Sequence, residues 1–157
     1  MCHQLDHETL DVYQLELSFV AWATDLIIEL CESPDAKKRR IGETVDPLDR
    51  AGLSTLFNTS EGNGRRQMKA RAKLYDDGRG SATECASCLD ALVAKRACSQ
   101  HRVEHGKSLL VRIVSMLTTL VQRFSRPSQV REQGGQYMIE DEEDDEDEDE
   151  QGGVKTS

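Results

Sequence analysis

Apolar residues recur at three- and four-residue steps along four stretches of the chain, the period of an α-helix that turns one face to a core. In the first, Leu10 to Glu32, the apolar set is Val12, Tyr13, Leu17, Phe19, Val20, Ala23, Leu26, Ile27 and Leu30, opposed by Asp11, Gln14, Ser18, Asp25, Glu29 and Glu32. The pattern predicts one amphipathic helix with a broad core stripe. Ser33-Pro34-Asp35 ends it, because the residue before a proline is driven out of the helical region, and Lys37 to Arg40 forms a basic connection. Asp46-Pro47 then predicts a restart, with Asp46 as N-cap and Pro47 in the first helical position. This second helix should run to about Glu61. Gly62-Asn63-Gly64 reads as its end and a tight turn, since both glycines can adopt positive φ.

A third helical stretch, Arg65 to Ala97, carries Met68, Ala72, Tyr75, Ala82, Cys85, Leu89, Leu92 and Val93 on one side. Gly78 and Gly80 interrupt it. Glycine inside a helix costs about 1 kcal/mol relative to Ala, so the pair implies either a neighbouring backbone at close range or a kink. Ser99 is the expected N-cap of the last helix. Its stripe of Val103, Leu110, Ile113, Val114, Leu117, Leu120, Val121 and Phe124 is the cleanest in the chain and ends before Pro127. The expectation is an all-α four-helix bundle over residues 10–127, preceded by a flexible N-terminus (1–9) and followed by a tail (128–157).

Composition changes this picture in one place. The chain of 157 residues has 4% aromatics and three prolines, which favours one helical domain, but its net charge of -9 is misleading. Glu140 to Glu150 is an unbroken run of eleven acidic residues, and without everything from Glu140 onward the chain holds 19 basic and 18 acidic residues. Charge belongs to segments here. Ser128 to Ser157 has too few core-forming residues to offset its ordering entropy and is expected to be disordered. No apolar run reaches the roughly 18 residues of a membrane span, and Met1 to Asp11 is too polar for a signal peptide. A cytoplasmic protein with five reduced cysteines is expected.

Candidate chemistry is sparse. Arg50, Ser54, Asn58 and Glu61 share one face of the second helix, flanked by Leu53, Leu56 and Phe57; they form either a hydrogen-bonded seam, with Arg50 reaching Glu84 of the third helix, or a ligand or partner site. Cys85-x-x-Cys88 and Cys98-x-x-His101 have the short spacing of zinc ligands. Strong helix formers between them deny the turn that a zinc knuckle needs, so they read as structural thiols and no metal is expected. His101 and His105 stand at i and i+4 without the carboxylate of an HExxH site. Phosphate-loop, nucleophile-elbow and di-iron carboxylate patterns are all missing, so neither catalysis nor a cofactor is expected. Arg65, Arg66, Lys69, Arg71 and Lys73 form a cluster with no acidic residue among them, able to attract phosphates over a Debye length of about 8 Å or simply to face water.

Several of these residues also carry a family likeness. The string Arg50-Ala51-Gly52-Leu53-Ser54, Asn58 and Glu61-Gly62-Asn63-Gly64-Arg65, with Asp11-Val12-Tyr13 before it and Arg79-Gly80-Ser81 and Glu84 after it, resembles the proteins encoded in intervening sequences of bacterial large-subunit ribosomal RNA genes. The resemblance implies an antiparallel up-and-down bundle, with rings of five among its members. It extends to the accessory variability determinant proteins of diversity-generating retroelements, basic partners of a reverse transcriptase and of nucleic acid. It therefore implies a non-catalytic homo-oligomer that binds RNA or a nucleic-acid-processing partner; the alternative is a purely structural protein-interaction module. Leu56 stands where the family usually has proline, and Thr59 and Ser60 where it has small apolar residues. The acidic tail is an addition.

Overall fold

The computed structural model describes residues 5–125, which form helices α1 (Asp11–Cys31), α2 (Gly42–Gly64), α3 (Met68–Ala94) and α4 (Gln100–Ser125). The acidic tail and its expected disorder lie outside the described residues. Each helix packs on its neighbours in sequence and α4 closes on α1, whereas the diagonal pairs do not touch. With short connections this is the antiparallel up-and-down bundle. The α1–α2 and α3–α4 connections therefore lie at one end, and the α2–α3 connection and the end of α4 at the other. The core is made of the expected stripes: Leu26, Leu48, Leu89, Leu92, Val103, Ile113 and Leu117 are fully buried, each contributing about 1.5–3 kcal/mol of transfer free energy. Met68, expected on the core side of α3, is exposed. Ahead of α1, in the segment read as a flexible arm, Asp6–Thr9 forms a 3-10 turn against α1 and α2, with His7 edge-on to Tyr13.

Two boundaries differ from expectation. α2 begins at Gly42, so Asp46 is not its cap and Pro47 sits inside the helix. Proline there forfeits one backbone hydrogen bond, but Thr44, Val45 and Leu48 bury themselves on this first stretch, and that burial holds the helix past the proline. At its other end α2 runs on through Gly64, and no described glycine has positive φ. Gly62 is required for space: a Cβ there would lie 3.1 Å from the Tyr75 ring and 3.3 Å from Leu74 Cβ. Absence of proline at position 56 fits the unbroken helix, and Leu56 is buried.

The positive φ angles belong to two arginines, Arg40 (φ 51) and Arg96 (φ 55). Each follows a helical turn closed in the Schellman manner. Arg96 N–H donates to Val93 O and Ala97 N–H to Leu92 O, both at 2.9 Å; Arg40 N–H donates to Lys37 O and Ile41 N–H to Ala36 O, both at 3.1 Å. Ser99 caps α4 as expected, its Oγ accepting from Arg102 N–H at 3.2 Å.

Of the two glycines in α3, only Gly78 marks a close approach: a Cβ would meet Thr55 O and Asn58 Cβ at 3.4 Å, while nothing lies within 4 Å at Gly80. Gly80→Ala should therefore gain helix propensity freely and stabilise by up to about 1 kcal/mol. Gly62→Ala should destabilise, because the Tyr75 ring must move. Thermal denaturation of the two variants checks the contrast, and a stabilising Gly62→Ala would refute the packing argument.

Candidate functional site

Two polar constellations break the apolar interior, and the expected seam accounts for one of them. Its members divide: Ser54 and Asn58 face α3, whereas Arg50, Glu61 and Glu84 are exposed. Asn58 Nδ2 donates to Ser54 O (2.9 Å) and Ser54 Oγ (3.2 Å), and Ser54 Oγ lies 3.0 Å from Ser81 Oγ. Ser81 Oγ donates to Asp77 O at 3.1 Å. The protons thus run one way, from Asn58 through Ser54 to Ser81 and the α3 backbone. This chain fixes the register of α2 against α3. The expected Arg50–Glu84 ion pair is corrected: neither side chain forms a salt bridge among the described residues, and Glu61 pairs instead with Arg65 on its own helix.

The second constellation went unrecognised in the sequence. Glu16 is 1% exposed in the core face of α1, and Thr59 Oγ1 of α2 donates to its Oε1 at 2.7 Å. Its Oε2 has no partner among the described residues. Burial raises the Glu16 pKa from 4.5 to about 8, opposed in part by the Thr59 hydrogen bond. The carboxyl is therefore mostly protonated at neutral pH, as desolvation of an unpaired acid dictates. Thr59 thus supplies the one hydrogen bond that this carboxyl has among the described residues. A signal existed, since Glu16 falls in the Val12, Phe19, Ala23 spacing, where a carboxylate has no business unless it is neutral or paired.

The basic cluster lies at the α2–α3 end, where an open cleft of about 460 Å³ is lined by Asn63, Gly64, Arg65, Arg66, Arg71 and the 3-10 turn with its Asp6, but not by Lys69 or Lys73. Its five cations are not equivalent. Arg71 is structural: its guanidinium donates to Gly62 O (3.1 Å), Asn63 O (2.7 Å) and Arg65 O (3.1 Å), and it lies 4.9 Å from the centre of the Phe124 ring. It satisfies the carbonyls that a helix C-terminus leaves open. Arg65 is engaged by Glu61. Arg66, Lys69 and Lys73 are exposed and make no ion pair among the described residues. Three of the five cations thus have their donors free, and Arg71 keeps its charge while its N–H groups are taken by carbonyls.

The cysteine and histidine positions do not converge. Cys85 is buried with its Sγ 3.9 Å from Leu48 O, and burial pushes its thiol up to about 12. Cys88 is buried and likewise raised by burial, His101 pairs with Glu104, and His105 packs edge-on to Trp22. Among the described residues no three His, Cys, Asp or Glu side chains gather to hold a metal. No helix of the described residues is long and apolar enough to cross a membrane.

These features define a small all-α bundle protein whose polar groups lie at helix interfaces and around one basic end. The chain belongs to the 23S rRNA-intervening sequence protein family, whose model matches residues 8–119. The match takes in the end of the 3-10 turn, α1 to α3 and most of α4, and leaves the acidic run outside. No curated protein and no solved structure matches the chain.

Proposed function

We propose that this protein is a non-catalytic assembly protein that binds RNA through the basic cleft at the α2–α3 end. The observation that carries the reading is the convergence of Arg66, Lys69 and Lys73, free of intramolecular ion pairs among the described residues, beside the cleft and the start of α3, where a helix N-terminus adds positive potential. The Glu140–Glu150 run follows α4 in the sequence, and as a chemical mimic of phosphate it would compete for these cations. Reversing Arg66, Lys69 and Lys73 to Glu should abolish retention of a labelled RNA and flatten its salt dependence. Deleting Glu140 to Glu150 should strengthen binding. Absence of RNA binding by the tail-deleted protein at low salt would sink the reading in favour of a protein-interaction module.

A separate observation supports self-assembly. Leu17 and Ile28 of α1 and Phe57 of α2 are 40%, 52% and 60% exposed, apolar side chains that a second copy of the chain would cover. Closed homo-oligomers such as rings cover surfaces of this kind, and a reverse transcriptase partner would be an alternative occupant. Light scattering should give a mass above that of one chain, and Phe57→Glu should reduce it. A monomeric mass for the intact protein would refute this part.

A further inference from the structure

The opposite end of the bundle carries a second group of cations, which the α1–α2 and α3–α4 connections bring together: Lys37, Lys38, Arg39, Arg40, Lys95 and Arg96. Nothing in the sequence joins them, since the two segments are more than fifty positions apart, as the contacts between them record. The connections are bolted to one another reciprocally. Arg39 Nη1 donates to Lys95 O at 2.8 Å, and Lys95 Nζ donates to Arg40 O at 3.1 Å. Asp35 pairs with Arg39 and Glu43 with Arg40, and Glu32 and Asp46 are exposed at the same end, whereas Lys37, Lys38 and Arg96 are exposed without an ion pair among the described residues. A cleft of about 360 Å³ opens beside Lys37 and Arg40 at the start of α2.

The backbone adds an independent reason to regard the charges as functional. Arg40 and Arg96 both hold left-handed conformations (φ 51 and 55) at the position of a Schellman motif that glycine fills with least strain. A side chain kept there against that strain, twice and at one end, indicates use outside the fold's own needs. The chemistry of the partner follows from what this end lacks. The exposed large hydrophobics are Leu5, Leu17, Ile28, Phe57, Met68 and Val111, and none belongs to either connection. Apart from Ile28 in the last turn of α1, 52% exposed, the described residues of this end offer a folded protein no large exposed apolar anchor, whereas a phosphate backbone needs only positioned cations and backbone N–H groups.

We propose that this end is a second contact for the RNA phosphodiester backbone, so that one bundle holds RNA at both ends; the inference rests on the RNA-binding reading above for the identity of the polyanion, not for its place. The test uses the full-length chain and anisotropy of a labelled oligouridylate across a salt series. Arg40→Gly with Arg96→Gly should leave the melting temperature unchanged or raise it while weakening binding, and Lys37→Gln with Lys38→Gln should weaken it further. Each lost phosphate contact should lower the slope of log affinity against log salt by about 0.7. A purely structural role for these arginines would show the reverse, a changed melting temperature with affinity intact. If these variants bind as the parent does while reversal of Arg66, Lys69 and Lys73 abolishes binding, the second contact is overturned and the first stands. If both sets leave binding unaltered, both fall. Competition by polyglutamate at equal charge as strong as that by unlabelled oligouridylate would assign this end to acidic peptide and overturn the proposal.

Discussion

Glu16→Gln should make the protein markedly more stable above pH 7 and remove most of the dependence of its stability on pH between about 4.5 and 8. In the folded state the carboxyl titrates at about 8, against 4.5 ordinarily, because burial penalises its charged form. Between those values the native state holds a proton that the unfolded state has lost, so stability falls as pH rises, by about 1.4 kcal/mol per pH unit. This contribution is complete below pH 4.5 and gone once pH has passed 8. The integrated loss is on the order of 5 kcal/mol, comparable to the whole stability of a marginal domain. Glutamine preserves the acceptor for Thr59 and cannot ionise. Urea denaturation of the parent and Glu16→Gln at a series of pH values gives the difference directly, and parallel pH profiles would show that Glu16 is not held in the core. Thr59→Ala removes the one hydrogen bond that favours the charged form and lowers the pKa, so the carboxyl should titrate still higher and the fall in stability should extend to higher pH.

The second large effect is expected at Gly106 in α4, where the Trp22 indole of α1 lies flat on the helix backbone. A Cβ at this position would run into ring atoms Cζ3 and Cη2 and would stand 2.7 Å from Cε3. The ring has little room to yield, since Phe19 packs on it at 5.8 Å, His105 at 6.2 Å and the Arg102 guanidinium at 5.7 Å, and Arg102 is itself held by Glu29. Overpacking a fitted contact costs about 1–3 kcal/mol. Gly106→Ala should therefore lower stability by roughly that amount despite the about 1 kcal/mol of helix propensity it gains. In a Trp22→Ala background the clash is gone and the same substitution should become stabilising. This change of sign is a coupling that a double-mutant cycle measures. Destabilisation of equal size in both backgrounds would refute the assignment of Gly106 to the indole.

Four helices, their order and most of the core positions of α1, α3 and α4 were legible in the chain, because burial of one face imposes a period that survives without any tertiary information, whereas the buried face of α2 was not read. Ser99 as a cap and the end of α1 before Pro34 were legible for a similar reason: both depend on backbone groups within a few residues. The family likeness was readable as well, since its motif residues keep their spacing along α2 and α3. Errors arose where long-range packing overrode a local signal. Pro47 is tolerated inside α2 because Thr44, Val45 and Leu48 are buried around it, and Gly62 serves the Tyr75 ring rather than a turn.

Charge was the property least decided by sequence. A linear count credits the α2–α3 end with five cations, but two of them are committed to Glu61 and to the open carbonyls of α2. Only the fold brings Lys37 to Arg40 beside Lys95 and Arg96, since that requires α1 and α3 to end at the same side of the bundle. Glu16 illustrates the same division: its position in an apolar stripe is a fact of sequence, but its protonation depends on its burial in the bundle and on Thr59 of α2 opposite it. Helical period is a local property of the chain, whereas the partner of each charge and the cost of burying it are set by segments distant in sequence, and these the tertiary structure alone decided.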